Sequence, residues 1–348
     1  MRTQKPRPHR FLFLLGLTLV ACCGVGRAQV SNTQTQPPAT AMQTPAPATP
    51  QTMAQPASAP VRLNVIVSGE SKGVAADLRP EDFRVEEDGV PQTITHFARA
   101  ESPVSYTLVV DNSGSLRGVL DDILRACAAL VAANRPGDET SLTRFVGRDQ
   151  ITVPQDFTAE QWRLNRGLES MYVEGGQTAI IDAVYLSAER VAARRTDEAG
   201  RRRALVLLTD GEDRASRYKL SELQKLLRKH DVQVFVIGVV SVLDKGQSLL
   251  RAKGPREKAT AFLNGLAQET GGRAFFPKNA KEMQAAVAEI ARDLRTQYAI
   301  SYQTSNANRD GKFRKIQVKL SEAAGSGKRT VHARSGYFAP DAQGAKEK

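Results

Sequence analysis

Three short segments of the chain carry oxygen-bearing side chains that suit a metal ion. They are Asp111-Asn112-Ser113-Gly114-Ser115, Gly175-Gly176-Gln177-Thr178 and Asp210-Gly211. Mg²⁺ prefers oxygen ligands in octahedral geometry and keeps several of its waters. We therefore predict one divalent-cation site built from carboxylate and hydroxyl groups, those of Asp111, Ser113, Ser115, Thr178 and Asp210.

The first segment alone has two interpretations. Its carboxylate and hydroxyls can bind a cation, or they can cap a helix predicted to begin near Leu116. The second and third segments supply further oxygen ligands and favour the cation. Mg²⁺ is the expected ion, with Mn²⁺ and Ca²⁺ as alternatives. The four His residues are scattered along the chain, so no zinc or copper site is predicted.

The elements around these segments must bring them together. Each carboxylate follows an apolar run, 106–110 before Asp111 and 204–209 before Asp210. Strands that are apolar throughout are covered on both faces, as in a parallel sheet between helices. Such sheets bind ligands outside the carboxyl ends of their strands. Residues 103–296 are therefore predicted to form an α/β domain with a doubly wound, mostly parallel, Rossmann-like sheet.

The periodicity of residues 103–296 supports this fold class. Short apolar runs predict strands at 106–110, 142–146, 151–153, 204–209, 232–240 and 273–276. Amphipathic stretches predict helices at 116–134, 159–171, 178–194, 220–230, 257–268 and 280–295. Glu212 and Asp213 follow the third segment and are expected to be solvated loop acids.

Two shorter segments of β character flank this domain, at 61–102 and 297–340. Asp88-Gly89 predicts a hairpin in the first segment, and 308–311 predicts a hairpin turn in the second. Since the termini of an α/β domain often lie close together, we expect the two flanks to pair into one small β-domain.

The N-terminus has the pattern of an export signal. Basic residues precede a short apolar run, 11–21, that cannot span a bilayer as a helix. Residues 1–28 are therefore predicted to be a signal peptide. Two processing routes fit, cleavage after Ala28 or lipidation of Cys22. The product is expected to be periplasmic or secreted, or lipid-anchored to the outer membrane, with other membrane contact only through a partner.

The remaining segments and the charge add further limits. Residues 29–60 are rich in Pro, Gln, Thr and Ala and predict a disordered linker, and 341–348 predict a disordered tail. Cleavage after Ala28 removes five basic residues and lowers the net charge from +12 to +7. No nucleic-acid-binding motif is present. Cys127 is the one cysteine beyond the signal region, which excludes a disulfide framework.

Over 103–296 the three oxygen-bearing segments resemble the metal-ion-dependent adhesion site of von Willebrand factor A-like domains. The resemblance implies that Ser113 and Ser115 bind the ion directly and that Asp111 binds it directly or through water. It implies a second-loop ligand at Thr178 and a third-loop carboxylate, usually through water, at Asp210. Many members have Gly-Gly-Thr in the second loop, where this chain has Gln177 before Thr178.

A wider resemblance, over 61–340, is to exported proteins of the acidobacterial VWFA-related type. It is carried by Asp82-Phe83, Glu87-Asp88-Gly89, 207–213, 311–316 and Arg334-Ser335-Gly336-Tyr337. Together the resemblances imply a non-enzymatic module of adhesion type, in which the metal ion binds an Asp or Glu carboxylate of a partner protein. Two alternatives remain, an envelope scaffold whose metal only stabilises the fold and, more remotely, a metal-dependent hydrolase.

Overall fold

The computed structural model describes residues 59–69, 78–194, 200–243, 254–322, 324 and 329–341. The predicted signal peptide with Cys22, nearly all of the predicted linker and the tail after 341 lie outside the described residues. No helix among the described residues is long and apolar enough to cross a membrane.

A six-stranded sheet forms the centre of the α/β region, in the order β10-β9-β8-β5-β6-β7. Its strands are β5 (Val104–Asp111), β6 (Glu139–Phe145), β7 (Ile151–Thr158), β8 (Arg202–Thr209), β9 (Val232–Gly238) and β10 (Ala274–Phe275). All neighbouring strands pair in parallel except β7, which is antiparallel to β6. The prediction of a mostly parallel sheet is confirmed.

Helices cover both faces of this sheet. They are α1 (Leu120–Ala132), α2 (Gln161–Glu169), α3 (Ile180–Ala192), α4 (Leu220–His230), α5 (Pro255–Glu269) and α6 (Ala280–Asp293). Residues of α1, α2 and α6 pack in one apolar core with the sheet, around Ile123, Leu164 and Ile290. Residues of α3, α4 and α5 pack in a second core on the other face. β5, β8 and β9 are buried along nearly their whole length because each face of the sheet meets a layer of helices.

Two predicted helices that adjoin the candidate site begin later than expected. The helix predicted from 116 begins at Leu120, because Gly114–Leu116 form a separate 3-10 turn. The helix predicted from 178 begins at Ile180. The backbone N–H of Ala179 donates instead to the carbonyl of Val146, 2.8 Å away, which holds Thr178 in a loop.

The flanking segments form two antiparallel sheets. Their strands are β1 (Val61–Gly69), β2 (Phe83–Glu87), β3 (Val90–Gln92), β4 (Ile94–Glu101), β11 (Thr296–Tyr302), β12 (Phe313–Leu320), β13 (Arg329–His332) and β14 (Gly336–Phe338). The strand orders are β13-β1-β11-β4 and β14-β12-β2-β3. Each sheet therefore combines strands from both flanks.

The hairpin predicted at 308–311 is wrong. The strands on either side of this turn, β11 and β12, lie in different sheets. The reason is that β11 already pairs with β1 on one side and β4 on the other, so β12 has to find its partners elsewhere. It pairs with β2 and β14. The hairpin predicted at Asp88-Gly89 does form, between β2 and β3.

A buried carboxylate connects the flanking strands. Glu87 is 2% exposed and accepts hydrogen bonds from the hydroxyls of Tyr302 (2.7 Å), Thr304 (2.6 Å) and Tyr337 (3.0 Å). A buried charge is stable only when such donors satisfy its oxygens. Glu87 belongs to the first flank and its three donors to the second, so this network joins the two flanks.

Candidate metal centre

The first loop of the candidate site follows β5. Asp111 is the last residue of that strand and is fully buried. Its Oδ1 accepts a hydrogen bond from the backbone N–H of Ser113, 2.9 Å away. The hydroxyl oxygens of Ser113 and Ser115 lie 3.1 Å apart. The turn after the strand thus brings three of the five predicted ligands together.

The third loop joins this group from the neighbouring strand. Asp210 follows β8, which pairs in parallel with β5, so both carboxylates lie at the same sheet edge. The hydroxyl of Ser115 donates to Oδ2 of Asp210 at 2.6 Å. The other oxygen, Oδ1, accepts from the backbone N–H of Glu212 at 3.0 Å. Asp210 is 1% exposed, so both carboxylates of the site are buried.

Glycine allows the third loop its sharp turn. Gly211 follows Asp210 and has a φ of +88°, a left-handed conformation that other residues rarely adopt. A Cβ there would also lie 2.8 Å from Leu263 and 2.9 Å from Ala259 on α5. Close packing of α5 and the positive φ therefore both require glycine at this position.

Thr178 lies beside the third loop, held there by its backbone. Its carbonyl accepts hydrogen bonds from the N–H groups of Arg214 (2.8 Å) and Ala215 (3.0 Å). The residue is 5% exposed. The structure therefore brings Asp111, Ser113, Ser115 and Asp210 together through hydrogen bonds of their side chains, and it attaches Thr178 to residues 214 and 215 of the third loop through the main chain.

Thr209 is a neighbour of the site that the sequence did not reveal. Its hydroxyl donates to Oδ2 of Asp111 at 2.6 Å and accepts from the N–H of Gly211 at 3.1 Å. It thereby fixes the carboxylate of the first loop and the turn of the third. The sequence did contain one signal, a hydroxyl residue directly before Asp210, the acid that follows the strand.

Asp213 caps the N-terminus of α3, which corrects the expectation that it is a solvated loop acid. Its Oδ1 accepts from the backbone N–H groups of Ile180 (2.7 Å) and Ile181 (3.2 Å), at the N-terminus of α3. Asp182, on α3, in turn accepts from the backbone N–H groups of Arg217 and Tyr218. Hydrogen bonds in both directions therefore join the third loop to the start of α3, which directly follows the second loop.

Burial governs the electrostatics of the first-loop carboxylate. Desolvation raises the pKa of Asp111 to about 6, against the lowering effect of hydrogen bonds from Thr209 and Ser113, and the charge of Asp210 raises it further. Among the ion pairs of the described residues, none involves Asp111 or Asp210. Two adjacent buried carboxylates that form no ion pair among the described residues are suited to a divalent cation.

The ligand chemistry also fits such an ion. No group of three or more His, Cys, Asp and Glu side chains is arranged for a metal within the described part of the chain. A site here would therefore depend on the Ser and Thr hydroxyls as well as the two carboxylates. Carboxylate and hydroxyl oxygens suit Mg²⁺, Mn²⁺ or Ca²⁺ and leave coordination positions for water or a further carboxylate.

Several solved structures are similar to this chain over part of its length. A comparison with curated proteins finds no match. An aerotolerance-related membrane protein from Bacteroides fragilis is 23% identical, with a TM-score of 0.42, over 54% of this chain and 98% of that one. The pilus adhesin SpaC from Lactobacillus rhamnosus GG is 10% identical, with a TM-score of 0.44, over 74% and 48% of the two chains.

A third structure is that of BatB, a conserved hypothetical protein from Bacteroides thetaiotaomicron. It is 20% identical, with a TM-score of 0.42, over 55% of this chain and 98% of that one. At these identities the likenesses concern the fold alone. The family model of the von Willebrand factor type A domain matches residues 107–289, more than half of the 348 residues. The chain therefore belongs to the von Willebrand factor type A domain family.

Proposed function

We propose that the chain is an exported, metal-dependent protein-binding module of adhesion type. Von Willebrand factor type A domains are commonly protein-interaction or adhesion modules and are mostly not enzymes. The observation that most supports metal dependence is the continuous contact from Asp111 through Ser113 and Ser115 to Asp210, buried at a sheet edge, where neither carboxylate forms an ion pair with a described residue. The partner protein presents an Asp or Glu carboxylate.

The residues of the site offer two kinds of ligand to the metal ion. Ser113, Ser115 and Thr178 offer neutral oxygens, while Asp111 and Asp210 offer the negative charge. Thr209 orients Asp111, as outer hydrogen bonds orient the ligands of metal sites. When bound, a divalent cation supplies positive charge and an open coordination position to which a partner carboxylate can bind.

The export part of the proposal depends on the sequence pattern of residues 1–28, which lie outside the described residues. A basic start, a short apolar run and small residues before Gln29 are typical of a signal peptide. N-terminal sequencing of the protein secreted or released from cells would locate the processing site. A chain that begins at Gln29 supports cleavage after Ala28, and a lipidated Cys22 supports the anchored form.

The test of the site is a calorimetric titration and thermal melt with Mg²⁺, Mn²⁺ and Ca²⁺. We expect saturable binding and a melting temperature that rises with metal concentration, since a ligand bound only by the folded state stabilises it. Asp111→Asn removes the charge and keeps the shape of the side chain. This variant should lose the response to metal, while its stability without metal combines the removal of a buried charge with the loss of one of the two hydrogen bonds that the Asp111 oxygens accept.

Asp149→Asn is the matched control. The Asp149 side chain is 85% exposed and belongs to a turn at the same sheet edge, where its ion pair within the described part of the chain is with Arg148. It should bind metal as the wild type does. A wild type that binds none of the three ions would contradict the proposal. Binding without any metal-dependent protein partner favours the scaffold alternative, and phosphatase or esterase activity that depends on Asp111 favours the hydrolase.

A further inference from the structure

Tyr172 exposes an aromatic ring close to the candidate metal centre. It belongs to the loop between α2 and Thr178, and 55% of it is exposed. Six large apolar side chains are exposed in the described residues, and only Tyr172 and Trp162 are aromatic. Tyrosine is enriched among the residues that dominate the binding energy of protein interfaces. The position of this ring therefore bears on partner recognition.

Hydrogen bonds place Tyr172 directly beside the first metal loop. The side-chain amide of Asn112 donates to the carbonyl of Tyr172 at 2.8 Å. The backbone N–H of Glu174 donates back to the carbonyl of Asn112, also at 2.8 Å. Asn112 lies between the predicted ligands Asp111 and Ser113. The loop of Tyr172 is thus attached at the residue that separates two ligands.

Contacts on one face of the Tyr172 ring also hold it in place. The guanidinium carbon of Arg144 lies 4.2 Å from the centroid of the Tyr172 ring. Arg144, whose side chain is 12% exposed, forms an ion pair with Glu174. Gln150 donates a further hydrogen bond to Glu174 at 3.0 Å. A ring held in this way loses little conformational freedom on binding, which favours its use as a rigid contact.

We propose that the Tyr172 platform, formed by the ring with Arg144 and Glu174 behind it, is a second recognition site for the partner. It takes an apolar side chain that the partner carries close to its metal-binding carboxylate. This inference rests on the proposed function. It deepens that function because it specifies a partner segment with an acid and an apolar residue, rather than any exposed carboxylate.

The contacts of the ring decide the chemistry of this second site. One face of the ring already contacts the guanidinium of Arg144, so a second cation on the other face gains less from the ring than it would from one with no cation beside it. An apolar side chain gains from the burial of ring surface and gives up no hydration of a charge. Aliphatic and aromatic residues of the partner are therefore expected in preference to basic ones.

The test uses a phage-displayed peptide library with a fixed Asp flanked by random residues. It is selected on the purified protein in Mg²⁺ and eluted by chelation. We expect enrichment of an apolar residue at a constant offset from the Asp. The best peptide is then synthesised, and its affinity is measured for the wild type, Tyr172→Ala, Tyr172→Phe and Trp162→Ala, each of which is first titrated with Mg²⁺ alone.

Trp162 provides the matched control because it is equally exposed, at 60%, but lies near the start of α2, at the opposite end of that helix from Tyr172. Tyr172→Ala should bind the peptide about tenfold more weakly or worse, as expected for an interface hot spot, with unchanged Mg²⁺ affinity. Tyr172→Phe and Trp162→Ala should behave as the wild type.

Failure of the inference and failure of the proposed function give different results. If Tyr172→Ala binds the peptide as well as the wild type, the platform is overturned and metal-dependent binding stands. If the wild type binds Mg²⁺ but retains no peptide of the library that chelation releases, the proposed function is overturned together with the platform that rests on it. A loss of Mg²⁺ binding in Tyr172→Ala would also overturn the platform, because it would assign Tyr172 to the metal centre.

Discussion

At the scale of single residues, Thr209 shows how the candidate metal centre depends on a group that binds no metal. It is fully buried, and its hydroxyl is shared between Oδ2 of Asp111 and the N–H of Gly211. A carboxylate whose oxygens have no partner can rotate about its bond to Cβ. The N–H of Ser113 and the hydroxyl of Thr209 each bind one oxygen of Asp111, and together they orient the carboxylate before any cation binds.

Thr209→Val should therefore weaken Mg²⁺ binding by about tenfold to a hundredfold, the usual effect of removing an outer hydrogen bond from a metal ligand. The change keeps the shape of the side chain, so any loss comes from the hydroxyl. It also leaves the N–H of Gly211 without this acceptor, which should cost about 1–3 kcal/mol of stability. Calorimetry with Mg²⁺ and denaturant unfolding measure the two effects.

Thr209→Ser is the control, because it restores the hydroxyl and removes only a methyl group. It should recover most of the Mg²⁺ affinity. If the valine variant bound Mg²⁺ as tightly as the wild type, Thr209 would have no orienting role. The position of Asp111 and Asp210 at the ends of buried strands could be predicted from the sequence because each acid follows an apolar run, whereas the bond from Thr209 to Asp111 depends on the adjacency of β8 and β5.

At the scale of elements, α3 and the third loop stabilise one another. Asp213 accepts hydrogen bonds from the first N–H groups of α3, and Asp182 on α3 binds the backbone of Arg217 and Tyr218. The unpaired N–H groups at a helix start favour a carboxylate as acceptor. Since Thr178 comes just before this helix start, the cap also positions a predicted metal ligand.

Asp213→Ala should destabilise the protein by about 1–2 kcal/mol, the range for loss of a helix cap. Glu212→Ala is the neighbouring control. Glu212 forms only a partly exposed ion pair with Arg214, and such pairs contribute about 0–1 kcal/mol. Denaturant unfolding of both variants without metal measures the difference. Equal stabilities would show that the cap at α3 contributes nothing.

Most elements of the α/β region could be predicted from periodicity, and α4 has the predicted bounds, 220–230. The cap provided by Asp213 could not be predicted, because it joins residues 33 positions apart in the chain. The hairpin expected at 308–311 failed for a similar reason. Turn residues show that the chain changes direction, but the partners of β12 depend on which strand edges are still free.

At the scale of the whole molecule, the α/β region is inserted between two strands of one flanking sheet. β4 ends at Glu101 shortly before β5 begins at Val104, and α6 ends at Asp293 shortly before β11 begins. β4 and β11 pair with each other, so both connections leave the flanking sheet side by side. The stability of these sheets consequently affects both ends of the inserted region.

His332 makes the flanking sheet sensitive to acid. It ends β13, which pairs with β1, and its Nε2 lies 2.9 Å from the hydroxyl oxygen of Ser68. Burial, with a smaller effect from the charge of Arg273, lowers the pKa of His332 from 6.5 to about 4. The unfolded chain therefore takes up this proton at a higher pH than the folded protein does.

It follows that the contribution of neutral His332 to stability is present above pH 6.5 and is lost as the pH falls toward 4. The loss should amount to about 3 kcal/mol. His332→Gln keeps a hydrogen-bonding group and cannot become charged, so its stability should fall less over this range. Denaturant unfolding of wild type and variant at each pH, both without metal, measures the difference.

The comparison of wild type with His332→Gln is necessary because the titration of Asp111 changes stability in the opposite direction as the pH falls. Its raised pKa, about 6, means that metal-free protein gains stability from this group as the pH falls below 6. The profile of the wild type alone would mix the two effects, whereas the difference from His332→Gln cancels that of Asp111. His96 is exposed on β4 of the same sheet, and the stability of His96→Gln should follow that of the wild type at each pH. If His332→Gln also followed it between pH 6.5 and 4, the acid sensitivity would have to come from other groups.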